Sequence, residues 1–214
     1  MRYIDIESWP RRKHFEAFNT FDYPHFNLCA NVKVSALHSL VKRRGLSFTV
    51  SIAYFLARVA NAISEFRYRI REGCIVEHEV VHPSITILTE SDLFSFCTIP
   101  YTEDFKTYAT RAMEQIDYVK DHPTLEDEPG QDDLLFMTSI PWVSFTGLMH
   151  PIHMHPVDSV PRIAWGKFFQ EADQIKMPLS VQVHHALMDG LHVGQYFLQL
   201  QELLDRAERV LNGG

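Results

Sequence analysis

Two histidines stand side by side in "MPLSVQVHHALMDGLHVG", residues 177–194, and an Asp-Gly pair follows at Asp189 and Gly190. In an extended strand successive side chains point to opposite faces. Leu179, Val181, Val183 and His185 therefore share one face, and Ser180, Gln182 and His184 share the other. His185 closes an apolar row, so its ring is expected to enter a low-dielectric cleft where the neutral imidazole is favoured. A neutral imidazole near pH 7 is a capable general base. Asp189-Gly190 turns the chain into a following helix and places a carboxylate where it can brace the loop carrying His185. A pair of structural histidines at a strand end is the plainer alternative. A metal site is a third, opposed by the alternation, because neighbours facing opposite ways do not easily chelate one ion.

These residues need a frame. "RYIDI" alternates as a first strand, and "WPRRKHFEAFNTF" reads as a short helix entered by Pro10. "FNLCANVKV" reads as a strand, and "SALHSLVKRRG" as a helix started by Ser35 and stopped by Gly45. Phe48, Ile52, Phe55, Val59, Ile63 and Phe66 recur at helical spacing and predict a long buried helix. Short strands are expected in "CIVEHEVV", "SITILT" and "LFSFCTIPY", then a helix from about Asp104 to Lys120. "DHPTLEDEPGQDD" is a polar surface loop. "LLFMTSIPWVSF" is a strand, and "RIAWGKFFQEADQIKMPLSVQVHH" is a hairpin turning near Ala172-Asp173. A last helix puts Val193, Phe197, Leu200, Leu204, Ala207 and Leu211 on one face. Mixed strands and helices predict an α/β fold, a two-layer sandwich of a mixed sheet covered by helices. No Gly/Ser- or Pro-rich stretch parts two folding units, so residues 1–214 are read as a single domain.

With 46% apolar and 22% charged residues, the composition is that of a globular protein and not a disordered one. A formal charge of −7 argues against a nucleic-acid partner, which needs clustered cations. Lys42-Arg43-Arg44 sits at an expected helix end, where cations suit the helix dipole. Cys29, Cys74 and Cys97 are odd in number and widely spaced, a pattern of reduced thiols. No apolar leader core is visible near the N-terminus, and no apolar run reaches the ~18 residues of a membrane span. The expectation is a cytoplasmic protein with no membrane partner.

"QVHHALMDGLHVG" resembles the active-site segment of the chloramphenicol acetyltransferase family, whose pattern is QVHHAxxDGxHxx. "ESWPRRKHFEAF" resembles its W-x-R-R/K-x-HF segment, "IPWVSFTG" its PW-x-x-F segment, and "PLSVQVHH" its active-site strand. The resemblance covers essentially the whole chain and is strongest from about 134 to 204. Four ordered blocks weigh against the structural-histidine alternative. Condensation domains and dihydrolipoamide acyltransferase cores share HHxxxDG or a related DHRxxDG, but lack the W-x-R-R-x-HF and PW-x-x-F blocks.

The resemblance implies acetyl transfer from acetyl-CoA, as co-substrate, to a hydroxyl of chloramphenicol, with no metal. It implies a homotrimer whose active sites lie at subunit interfaces. His185 would be the general base, and Asp189 would pair with Arg11 to hold its loop. The family's oxyanion donor is a Ser four residues before the Trp of PW-x-x-F. Here Thr138 stands there, with Ser139 next to it, and Thr138 is the expected donor. Trp142, Lys167 and Phe168 would line the CoA channel, with Phe168 lacking a phenolic hydroxyl. Ala164 replaces a Thr that helps position a water. Ala17, Phe18, Leu148, His150 and Ile152 would line the acceptor pocket, which departs most from the family. His150, His153 and His155 are open to three readings: a reshaped pocket, a surface loop or a metal site. Two further functions stay in play, transfer to a different small alcohol and a noncatalytic binding protein. Retention of His185, Asp189 and Arg11 argues against the last.

Overall fold

Strand β1 (Arg2–Ile4) and helix α1 (Arg12–Phe18) open the computed structural model, which describes residues 1–90, 92–126 and 128–213. Pro10 lies in the turn before α1 and not in its first helical turn. Strand β2 (His25–Lys33) leads into α2 (Ser35–Arg44), which stops at Gly45 in the left-handed region, φ 65°. Ser35 does not cap α2. Its Oγ instead accepts the N–H of Ile175 at 2.8 Å, stitching the helix start to a strand.

Helix α3 (Phe48–Ala62) is capped by Ser47, whose side chain accepts the Val50 N–H, and it is buried almost all round. The expected run to Phe66 breaks at Ile63, which is extended, and resumes as a 3₁₀ turn over Ser64–Arg67. Strands β3 (Tyr68–Arg71), β4 (Cys74–Glu77), β5 (His82–Leu88) and β6 (Phe94–Thr98) follow, then α4 (Phe105–Asp121), capped by Asp104. Strand β7 (Leu134–Ile140) ends before Pro141, short of the expected Phe145. Strands β8 (Arg162–Gly166), β9 (Phe169–Glu171) and β10 (Gln174–His184) complete the sheet. The last helix is two, α5 (Gly190–Asp205) and α6 (Ala207–Leu211), broken at Arg206.

The main sheet has the order β2-β10-β8-β7-β5-β6, with β9 paired to β10. It is mixed: β5–β7 and β7–β8 are parallel and the other pairs antiparallel. Pleating sorts its residues into two rows. Leu28, Val181, Ile163, Met137, Ile85 and Cys97 are successive cross-strand partners on the face covered by the helices. One residue along, Cys29, Ser180, Ala164 and Thr138 form a row on the opposite face. This is the sandwich expected from the pattern, with one sheet face left for something other than helices.

Strands β1, β4 and β3 form a separate antiparallel sheet that the sequence reading did not separate from the first. Arg69 of β3 is fully buried and donates to the carbonyls of Phe66, Tyr68, Asp132 and Leu134. Four acceptors on two segments tie this small sheet to the start of β7, although burial lowers the Arg69 pKa to about 10. Among the described residues no helix is long and apolar enough to cross a membrane.

Candidate active site

β10 ends at His184, and the next four residues make a tight turn. His185 N–H donates to Pro24 O at 2.7 Å, and the Leu187 and Met188 N–H groups return to His184 O. His184 Nδ1 accepts the Ala186 N–H at 3.3 Å. Ala186 and Leu187 are buried in a second apolar cluster with Phe15, Tyr68 and Ile75, against Trp9 and Phe18. The small sheet and α1 thus form the bed on which the turn rests. The His185 ring stacks on Phe18 (centroids 3.8 Å apart, 8° between planes) and tilts against Phe26 at 4.7 Å. Its Nδ1 is buried without a partner.

Asp189 does two jobs. One carboxylate oxygen caps α5 by accepting the Leu191 N–H at 2.9 Å, and the other accepts from Arg11 Nη1 at 2.6 Å. Burial raises the carboxyl pKa, but the Arg11 bond, the Leu191 amide and the Arg11 charge outweigh it and bring it down to about 2. Asp189 is an anion at any working pH. An Asp189→Ala variant loses cap and ion pair together. An N-cap is worth about 1 kcal/mol, which in a chain of this size is about 2–4 °C in Tm. Asp189→Asn retains a good cap and should recover that stability while still losing activity. Melting curves that fail to separate the two variants would refute this division of labour.

On the open face, Thr138 is half-buried beside Ala164, whereas Ser139 pairs with Trp165 of the helix-covered core. The alternation therefore turns the Ser139 side chain away from the Thr138 face. Continuing the parallel register by one residue sets Thr86 beside Thr138, and Thr86 pairs with Phe96. Leu88 and Phe94, the next such pair, lead to a hollow of about 230 Å³ lined by Thr89, Leu93, Phe94, Pro123, Thr124 and Leu125. Ser180 is two strands from Thr138, and His185 is five residues further along. That is about 10 Å across the strands and ~16 Å along them, so one chain does not bring this hydroxyl and this imidazole together.

The 141–160 segment crosses the same face. Ser180 Oγ donates to Leu148 O at 2.9 Å, and Gln182 grips the His150 backbone, accepting its N–H at 2.7 Å and donating to its carbonyl at 3.3 Å. Leu148 and Ile152 are half-buried and Ala17 is exposed. Trp142 is exposed, and Lys167 N–H donates to Val143 O at 3.0 Å. This close approach needs Gly166, because a Cβ there would stand 2.7 Å from Pro178 Cγ and 2.9 Å from Val143 O. Phe168 is held edge-on by His38 and Phe48. Among the described residues no group of three or more His, Cys, Asp or Glu side chains is placed to hold a metal ion. The His150–His155 tract accordingly splits, with His150 turned inward and His153 and His155 exposed.

Three imidazoles under this segment are held neutral. Burial lowers the His184 pKa to about 3 and, aided by the charge of Arg162, that of His150 to about 4. Burial also lowers His25, whose Nε2 donates to Asp158 O at 2.7 Å. Because the unfolded chain titrates near pH 6.5, it takes up protons there that the folded chain refuses. The stability these groups contribute is complete above that pH and is lost as pH falls from about 6.5 towards 4. The urea midpoint is expected to drop between pH 7.5 and pH 5, with proton uptake on unfolding. An unchanged midpoint would show that these rings charge freely in the folded chain.

A family model described as chloramphenicol acetyltransferase matches residues 1–201. The chain belongs to the chloramphenicol acetyltransferase family. A chloramphenicol acetyltransferase of Klebsiella sp is 30% identical over 94% of this chain and 93% of its own length. One of Clostridium perfringens is 31% identical over 96% and 95%. A solved chloramphenicol acetyltransferase superposes with a TM-score of 0.85 at 26% identity, covering 95% of this chain and 99% of that one. The cubic core of the pyruvate dehydrogenase multienzyme complex shares the fold alone, at TM-score 0.67 and 15% identity. As a member of the chloramphenicol acetyltransferase family, the protein is an acyltransferase. Two features of this acyltransferase escaped the sequence reading. The Phe94–Phe96 side of the sheet became visible only through strand pairing. His192 was legible in principle, since it occupies the third helical position after an Asp cap, where a capping-box acceptor belongs.

Proposed function

We propose that the protein transfers the acetyl group of acetyl-CoA to a hydroxyl of chloramphenicol, with His185 as general base. The observation that carries this reading is the clamped loop. Asp189 caps α5 and holds Arg11 while Phe18 stacks on the His185 ring, so the imidazole has one fixed orientation. Its Nε2 takes the proton of the acceptor hydroxyl as that oxygen attacks the thioester carbonyl. The Thr138 hydroxyl donates to the oxyanion that forms. When the C–S bond breaks, the proton returns to the departing CoA sulfur, so nothing else is consumed.

The distance between Thr138 and His185 in one chain favours a homotrimer in which a neighbour's open sheet face meets this loop. Thr138 and the apolar hollow beyond it would then be the neighbour's contribution, suited to an aromatic acceptor. Trp142, Lys167 and Phe168, gathered around the end of β8, would line the CoA path, with Phe168 taking the adenine. Arg11 and Asp189 hold the loop and do not touch the substrates.

A second reading keeps the chemistry and changes the alcohol. It rests on His150, whose Nε2 is buried without a partner on the segment expected to meet the acceptor, and on the exposed Ala17. A buried polar atom left unpaired favours an acceptor carrying a matching polar group. CoA thiol release with and without chloramphenicol, beside a panel of small alcohols, decides between the two. Chloramphenicol as much the best acceptor supports the first reading. Release driven by another alcohol, with the drug inert, overturns it.

A further inference from the structure

We propose that His192, backed by Glu65, is a positioning residue for the His185 loop, one that fixes Asp189 from the side opposite Arg11. This rests on the acetyltransferase reading above. His192 sits in the first turn of α5 with its ring largely buried. Its Nδ1 accepts the Asp189 N–H at 3.2 Å, and its Nε2 lies 3.4 Å from a carboxylate oxygen of Glu65 in the 3₁₀ turn after α3.

The tautomer follows from these partners. A nitrogen that accepts the Asp189 N–H carries no proton, so the ring proton is on Nε2, the nitrogen nearer the Glu65 carboxylate. His192 Nδ1 also lies 3.0 Å from the Asp189 oxygen that caps the helix. Two lone-pair-bearing atoms at that distance repel, and the carboxylate of Glu65 on the far side offsets this by favouring a proton on Nε2. Glu65 thus selects the tautomer that completes the capping box, and the box sets the backbone angle at which Asp189 presents its other oxygen to Arg11. The resulting chain, Glu65–His192–Asp189–Arg11, joins the end of α3 to α1 across the loop that carries His185. No member but Asp189 lies within that segment's immediate turn, so the chain adds a tie from the end of α3 to the support that α1 already gives the loop. Loose support of this kind costs rate and not affinity, because it misaligns the base without removing a substrate contact.

The test uses the full chain in its native assembly with His192→Leu, His192→Gln and Glu65→Leu. Glutamine returns an acceptor to the capping-box position, whereas leucine fills the space without one. His192→Leu is expected to lower kcat about tenfold with both KM values within about twofold, and His192→Gln to recover most of the loss. Glu65→Leu should fall between them. The Asp189 amide should exchange with solvent roughly fivefold faster in His192→Leu and return towards the parent rate in His192→Gln. Equal damage in His192→Leu and His192→Gln, or an unchanged Asp189 exchange rate, overturns the proposal. So does faster exchange with kcat unchanged. If the parent enzyme turns over no acceptor, the acetyltransferase reading fails, while the exchange rates still decide whether His192 clamps Asp189.

Discussion

Replacing His185 with alanine is expected to lower kcat by about 10²–10⁴, the range a positioned general base contributes. The KM for acetyl-CoA should stay near its parent value, because the ring packs against Phe18 and Phe26 and not against the residues expected to line the CoA path. The fold should survive as well. His185 is only half-buried, and the turn is held by backbone bonds to Pro24 and His184 that do not involve the ring. His184→Ala should do the opposite. That ring is 1% exposed and its Nδ1 takes the Ala186 N–H, so its loss should show first as lowered stability. Steady-state kinetics with melting curves on both variants separate chemistry from support. A His185→Ala enzyme with more than a tenth of parent kcat would remove the imidazole from the role of base.

Thr138→Ala should lower kcat by about 10²–10³, the usual cost of one oxyanion donor. Thr138→Ser keeps the hydroxyl and frees χ1, so it should lie within a few-fold of the parent. Ser139→Ala should leave turnover nearly unchanged, because that residue pairs with Trp165 on the helix-covered side of the sheet. The order of the three variants is the readout. If Ser139→Ala is the damaging change, strand β7 presents its other face to the acceptor and the site must be rebuilt around Ser139. A mixture of His185→Ala and Thr138→Ala proteins, unfolded and refolded together, adds a test of the assembly. Where neighbours supply the two groups to a shared site, mixed trimers contain sites with both residues intact, and turnover reappears from two inactive parents.

Much of this was legible in one dimension. The Ser35 and Gly45 signals and the expected run from about Asp104 to Lys120 placed α2 and α4 within a residue or two of their observed ends, and the apolar spacing from Phe48 placed the start of α3. The alternation in "PLSVQVHH" correctly put Leu179, Val181 and Val183 together in the core and Ser180 and Gln182 on the other face. Errors gathered where long-range packing overrides local preference. Ile63 is apolar and in phase with α3, yet its backbone turns extended so that Phe66 and Tyr196 stack at 4.7 Å. Arg206 carries no helix-breaking signal, and the chain still bends there to lay α6 against α2. Residues 141–145 look like strand, but β7 stops at Ile140 and the segment closes over Gly166 instead.

For the site, the sequence by itself determined an imidazole at a strand end and a carboxylate four residues on that could brace its loop, while the role of the hydroxyl four residues before a Trp came only with the family resemblance. Those are statements about neighbours along the chain, where fixed backbone periods decide which side chains share a face. Tertiary structure alone decided which partners meet them. Arg11 reaches Asp189 across 178 residues, a pairing that the family resemblance implied and no local spacing contains. His192 finds Glu65 only because α5 packs against α3, and Thr138 rather than Ser139 faces the open side because Trp165 is pulled into the core. Such contacts follow from burying one face of every element at once, a condition on the whole chain that no local stretch contains.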